Sequence, residues 1–139
     1  CSRDWSSDVC SSDLWEGVRA RVWSRTAARA ERIVDRYSRV ASAEWSVAGA
    51  VDGAALVVNA TPVGLDGQGM PVDPAELPDG ASVFDLTYRR GETAWVLACR
   101  ARGLRASDGL PMLIEQGALA FERWFGIAPN RHVMREAVR

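Results

Sequence analysis

Lysine is absent from the 139 residues: all 17 basic side chains are arginine, so no lysine Schiff base, nucleophile or general acid can be built from this chain. His132 is the only histidine, which excludes a histidine-rich metal site and leaves a Ser-His-Asp triad without support. It reads as a partly exposed residue of a terminal helix. The cysteines Cys1, Cys10 and Cys99 are odd in number and show no Cys-x-x-Cys spacing, so neither a disulfide framework nor a zinc site is expected. Cys99 fits a helix core. No apolar run approaches the roughly 18 residues of a membrane span, and no basic-then-apolar leader suggests secretion, so a cytoplasmic setting is expected. A formal net charge of -1 argues against a general nucleic-acid or anionic-membrane binder. Any anion site must be local. No Gly-x-Gly-x-x-Gly occurs.

What is present is an ordinary globular composition, 47% apolar and 25% charged, at the length of one domain. Residues 1–14 show no helical or strand periodicity and repeat Ser-Ser-Asp at Ser6-Ser7-Asp8 and Ser11-Ser12-Asp13. They resemble translated adapter or vector sequence and are set aside as a non-native leader. From Val18 to Trp23 apolar and polar residues alternate as in a strand, and Ala30, Ile33, Val34, Tyr37 and Ala41 then recur at helical spacing. Ala43 to Val47 fits a short strand. Ala54 to Ala60 is a nearly continuous apolar run, expected as a central parallel strand covered on both faces. Leu65 to Gly80 is a glycine- and proline-rich loop, with a helical turn capped by Asp73 and begun by Pro74. Ser82 to Tyr88 is a strand, Thr93 to Arg102 a helix ended by Gly103, and Leu104 to Ala106 a weak strand. A long helix follows from Leu110 to Phe125, with Leu110, Leu113, Gly117, Ala120, Phe121 and Trp124 expected as its core face. Asn130 is placed as the cap of a short last helix. Alternating strands and helices predict an α/β fold with a parallel sheet, flanked by helices and followed by C-terminal helices.

Ligands of such sheets bind beyond the carboxyl ends of the strands. Four segments fall there. Ser24-Arg25-Thr26-Ala27-Ala28-Arg29 brings two hydroxyls and two arginines to a strand-to-helix turn, with no acidic residue between Arg19 and Ala30. Arginine there suits a 2′-phosphate, whereas an acidic residue would bind free ribose hydroxyls, and a helix N-terminus adds attraction for the anion. The same arginines fit a solvated stripe continued by Arg32 and Arg36, and the residues alone leave the two readings level. Asn59-Ala60-Thr61-Pro62-Val63-Gly64 ends a buried strand with small residues that admit a ligand to the backbone, although a plain strand-ending turn would also suffice. Phe84-Asp85-Leu86-Thr87-Tyr88 ends in a phenol suited to a carboxylate or hydroxyl, or simply to packing. Asp108-Gly109-Leu110-Pro111-Met112-Leu113-Ile114-Glu115-Gln116 opens a helix with Met112 and Gln116 together at its edge; packing and a surface amide are the ordinary alternatives.

In this order and spacing the four segments, over roughly Val18 to Val138, resemble the cofactor-binding half of shikimate dehydrogenases. That family carries Asn-Arg-Thr-x-x-Arg or Lys where this chain has Ser24 to Arg29, Asn-Ala-Thr-Ser or -Pro then x-Gly at Asn59, and Asp-x-x-Tyr at Asp85. The resemblance implies an incomplete Rossmann-like fold whose cofactor is NADP, held by Ser24, Arg25, Thr26, Arg29, Ala60, Thr61, Pro62, Leu86, Gly109 and Met112. It implies Tyr88 and Gln116 as contacts to the small-molecule substrate, shikimate or 3-dehydroshikimate. The chain departs from the family at Ser24, at Arg89-Arg90-Gly91 where a proline is common, and at Pro111 where glycine is frequent. The family's chain is about twice this long; its N-terminal catalytic domain carries a lysine and an aspartate, and its first strand and glycine-rich turn have no counterpart here. The expected arrangement is therefore a leader (1–14), a truncated NADP-binding domain (15–125) and a C-terminal helix (126–139), with no catalytic residue and no turnover alone. A quinate-type dehydrogenase, a non-catalytic nucleotide-binding module and a fragment without function are the competing readings.

Overall fold

A computed structural model describes residues 17–138. The leader expected at 1–14 lies outside them. The molecule forms two compact units, one ending at Val51 and one beginning at Asp52.

In the first unit, β1 (Ala20–Val22) feeds α1 (Ala27–Arg36), which returns the chain to β2 (Ala41–Ala43). The strands pair in parallel, Ala20 opposite Ala41 and Val22 opposite Ala43. Ala30 is the buried residue of α1, packed where a larger side chain would hold the helix off the strands. The helix stops at Arg36, so Ala41, expected on its face, lies in β2 instead. A second difference follows. The strand expected over Ala43 to Val47 ends at Ala43, and a short helix α2 (Val47–Val51) starts where it was to continue. The Ser46 hydroxyl accepts from the Gly49 N–H at 3.0 Å, a local cap that favours a helical turn over a continued strand.

In the second unit, β3 (Leu56–Asn59), β4 (Ser82–Asp85) and β5 (Arg105–Ser107) form a parallel sheet in that order, with α3 (Ala94–Ala101) joining β4 to β5. The middle strand of this sheet is β4, with Val83 and Asp85 buried. β3 lies at its edge, and Leu56 and Val58 are 54% and 47% exposed, so the expectation of a central strand covered on both faces fails. An apolar run does not say which neighbours a strand pairs with, and an edge strand can carry one. The loop between β3 and β4 carries the expected turn Pro74–Glu76, capped by Asp73 accepting from the Ala75 N–H. Trp95 of α3 donates its indole N–H to the Val72 carbonyl at 2.8 Å, and Arg102 reaches the Pro74 and Leu77 carbonyls, so α3 pins this loop from beneath.

Helix α4 (Leu110–Phe125) runs over the predicted residues and ends on Gly126 at φ 67°, a left-handed conformation that glycine adopts without strain. Its buried face is not the expected one. Ile114 and Ala118 are buried, whereas Leu113, Phe121 and Trp124 are exposed. Helix α5 (Arg131–Ala137) is capped by Asn130, which accepts from the N–H groups of His132 and Val133. Its Arg131 and Arg135 hold Glu115 of α4 at 2.8 and 3.3 Å. No described helix is long and apolar enough to cross a membrane.

Candidate functional site

The first unit presents the Ser24–Arg29 segment at the carboxyl end of β1. Arg25, Thr26 and Arg29 are exposed and Ser24 is half-buried. Thr26 stands at the N-cap of α1 in extended conformation, yet its side chain makes no capping bond, and the first turn contains no acidic residue. A helix start with uncapped N–H groups and no anionic side chain is suited to an external anion. Neither the Arg25 nor the Arg29 side chain has a hydrogen-bond or ion-pair partner among the described residues.

The second unit brings together the other segments. Asn59, the last residue of β3, is 3% exposed and fully engaged. Its amide donates to Asp85 Oδ1 at 2.8 Å and to the Val63 carbonyl at 3.2 Å, and its Oδ1 accepts from the Thr61 N–H and hydroxyl at 3.0 and 2.7 Å. Asp85, at the end of β4 and wholly buried, also accepts from the Thr87 N–H and hydroxyl and, through Oδ2, from the Thr93 hydroxyl at 2.8 Å. Thr93 in turn accepts from the Val96 N–H at the start of α3. A buried carboxylate with four donors is tolerable where an unpartnered one is not. This network fixes the loops that follow β3 and β4. Sequence reading passed over Asn59, Asp85 and Thr93 as site residues. The signal was present: polar residues at two strand ends and a threonine at a helix cap, all too desolvated for a solvent role.

On that base sit the expected contact residues. Ala60, Thr61 and Pro62 are exposed. The Thr61 hydroxyl closes its own turn, donating to Asn59 and accepting from the Val63 N–H. Gly109 is buried, donates its N–H to the Thr87 carbonyl at 3.0 Å, and has no room for a Cβ, which would strike the Leu86 carbonyl oxygen. Leu86 and Gly109 are thus in backbone contact. Met112 is half-buried in the first turn of α4, with exposed Gln116 four residues on. Tyr88 is 44% exposed. A cleft of about 270 Å³ also opens at the start of α4, lined among others by Arg89, Glu92, Asp108 and Arg135, and no expected site residue lines it. Burial raises the Asp108 carboxyl pKa from its ordinary value; the Leu110 N–H opposes this at Oδ1, and Oδ2 is buried without a partner. Burial likewise raises the Cys99 thiol, leaving it inert.

Parallel strands alternating with helices, polar groups gathered past the strand ends and a helix start open to an anion define a Rossmann-like α/β domain. The more particular likeness comes from known proteins. Residues 109–139 match the shikimate 5′-dehydrogenase C-terminal domain family. A shikimate dehydrogenase (NADP(+)) of Mesorhizobium japonicum is 45% identical over 113 residues, 79% of this chain and 40% of that protein. The crystal structure of a Thermus thermophilus shikimate 5-dehydrogenase in complex with NADP(H) and shikimate superposes with a TM-score of 0.76 at 37% identity, over 88% of this chain and 46% of that one. A quinate dehydrogenase of Corynebacterium glutamicum in complex with NAD gives 0.75 at 28% identity, over 85% and 45%. By sequence and by fold, the chain is similar to the C-terminal part of the shikimate dehydrogenases, as its motifs led us to expect. It spans about 40% of the length of the curated relatives it matches.

Proposed function

We propose that the chain is the NADP-binding portion of a shikimate dehydrogenase, an oxidoreductase that reversibly reduces 3-dehydroshikimate to shikimate on the route to the aromatic amino acids, in the cytoplasm. The observation that carries this reading is the uncapped start of α1 beside Arg25 and Arg29, whose guanidinium groups no described residue neutralises. An acidic residue would repel a 2′-phosphate at this place; here there is none between Arg19 and Ala30. Ser24, Arg25, Thr26 and Arg29 take the 2′-phosphate, and Ala60, Thr61 and Pro62 line the cofactor where small or compact side chains leave the backbone accessible. Leu86, Gly109 and Met112 lie by the nicotinamide. Tyr88 and Gln116 donate hydrogen bonds to the substrate. Bound NADP supplies the hydride carrier, while the protein binds, orients and excludes water.

The chain's own part ends there. It contains no lysine, and proton delivery to the reacting oxygen, with most of the substrate pocket, belongs to sequence it does not contain. General acid–base help is worth roughly 10²–10⁴-fold. The 139-residue chain is therefore expected to bind NADP+ in preference to NAD+ and to oxidise shikimate at no measurable rate. Calorimetric titration tests the first point and absorbance of the reduced nicotinamide the second. Arg25→Ala should weaken NADP+ by about 10- to 100-fold, the range for charge-assisted hydrogen bonds, and leave NAD+ unchanged. Shikimate turnover by the chain, or equal affinity for the two nucleotides, would sink the reading. Likeness to the quinate dehydrogenase keeps quinate as the alternative substrate of the whole enzyme. NADP binding unaccompanied by any role in a larger enzyme would define the non-catalytic module.

A further inference from the structure

An exposed indole stands two residues past the end of β2, the strand paired with β1. Trp45 is 78% exposed, more than any other large apolar residue described. Single apolar side chains on a surface are ordinary; the position of this one is not. The parallel register sets Val22 opposite Ala43, and the Glu44 N–H donates to the Val22 carbonyl at 2.9 Å, so pairing persists one residue past β2. Extended two residues past Ala43, the same register would set Trp45 level with Ser24, which immediately precedes Arg25. The charge nearest in sequence is turned aside. A Cβ on Gly49 would lie 3.0 Å from Glu44 Oε2, so that carboxylate rests against α2. Ser46, capping α2 through the Gly49 N–H, fixes the bend that follows the indole.

We propose that Trp45 is the platform on which the purine ring of an adenosine 2′-phosphate stacks. The inference rests on the reading that Arg25 and Arg29 take the 2′-phosphate. It adds what that reading lacks, a group that recognises the base. A flat π-face at the margin of a cationic turn matches a ligand in which a flat ring and an anion are joined through one ribose, and stacking needs no hydrogen-bonding edge. The indole thus selects for a heterocycle, and the guanidinium pair for the phosphate.

Adenosine 2′,5′-bisphosphate, which carries the base and the 2′-phosphate without the nicotinamide, is the probe. It is titrated into the full 139-residue chain by calorimetry and by tryptophan fluorescence. Trp45→Ala should weaken binding by about 5- to 100-fold, the range for loss of one base stack. Trp45→Phe, which keeps an aromatic face, should bind within a few-fold of the parent and lose the ligand-induced quench. A purely structural tryptophan would not separate affinity from quench in this way. Binding by the parent that Arg25→Ala weakens, but that Trp45→Ala leaves unchanged, would overturn the platform and spare the phosphate site. Failure of the parent chain to bind the probe would overturn both.

Discussion

At the ends of β3 and β4, every side-chain polar atom of Asn59 and Asp85 is engaged by the protein, whereas past β1 the guanidinium groups of Arg25 and Arg29 have no partner among the described residues. The first edge is complete without a ligand. Its polar residues are desolvated, and their bonds shape two loops so that Gly109 can meet the end of β4. The second edge is a surface of unmatched positive charge over an uncapped helix start. Burial converts polar groups into scaffold, and exposure leaves them for recognition. Mutations at the two edges should therefore differ in kind: stability is lost at one and affinity at the other.

The largest expected effect is Asp85→Ala. It leaves the Asn59 amide and the Thr87 and Thr93 hydroxyls short of an acceptor inside the protein, at about 1–3 kcal/mol for each buried group left unsatisfied. A loss of about 3 kcal/mol or more in urea denaturation is expected, against about 0.5 kcal/mol or less for exposed Arg25→Ala. Equal losses at the two sites would erase the distinction between scaffold and recognition surface.

Gly109→Ala comes next. The added methyl meets the Leu86 carbonyl oxygen, which is backbone and has no rotamer to escape into. Separating α4 from the end of β4 should cost about 1–3 kcal/mol. It should also disturb Leu86 and Gly109, two of the three residues proposed to flank the nicotinamide, so NADP affinity and stability fall together. An unaltered melting midpoint would show that the close approach is not obligatory.

How far these features could be read in advance depended on whether their causes were local. The bounds of α4 were legible because Gly109, Pro111 and Gly126 act within a turn of themselves, and the same holds for Asn130 before α5 and Asp73-Pro74 in the loop. The buried stripe of α4 was not. Leu113, Ile114, Ala118, Leu119 and Phe121 spread apolar character around the helix, and only packing selects Ile114 and Ala118. The edge position of β3 escaped for a related reason, since strand order is a property of pairings and not of a run. α2, five residues of valine, alanine and glycine, has too little pattern to declare itself. The residues proposed as contacts belong to visible motifs, but the part Asp85 plays in tying the loops depends on its burial, which the sequence does not show.

Asp108 is the exception that sharpens the contrast, and the smallest of the three effects. It lies on the scaffold edge, 4% exposed, with Oδ1 accepting from the Leu110 N–H and Oδ2 buried without a partner. Glu92 and Asp85 face it with like charge and Arg100 with opposite charge, and burial dominates, so its pKa is raised. The folded protein therefore holds this proton more tightly than the unfolded chain does. Its contribution to stability is full below the unfolded pKa and is lost as pH rises through the raised value. Glu115, held down chiefly by Arg131, acts in the opposite sense: its contribution is present above its unfolded pKa and is lost as pH falls. Asp108→Asn separates the two, because an amide oxygen can keep the Leu110 bond and cannot ionise. Melting curves between about pH 3 and 8 should show the variant gaining on the parent as pH rises, with the Glu115 contribution common to both. A difference that stays flat with pH would mean that Asp108 is as well satisfied as Asp85, and the scaffold edge would have no exception.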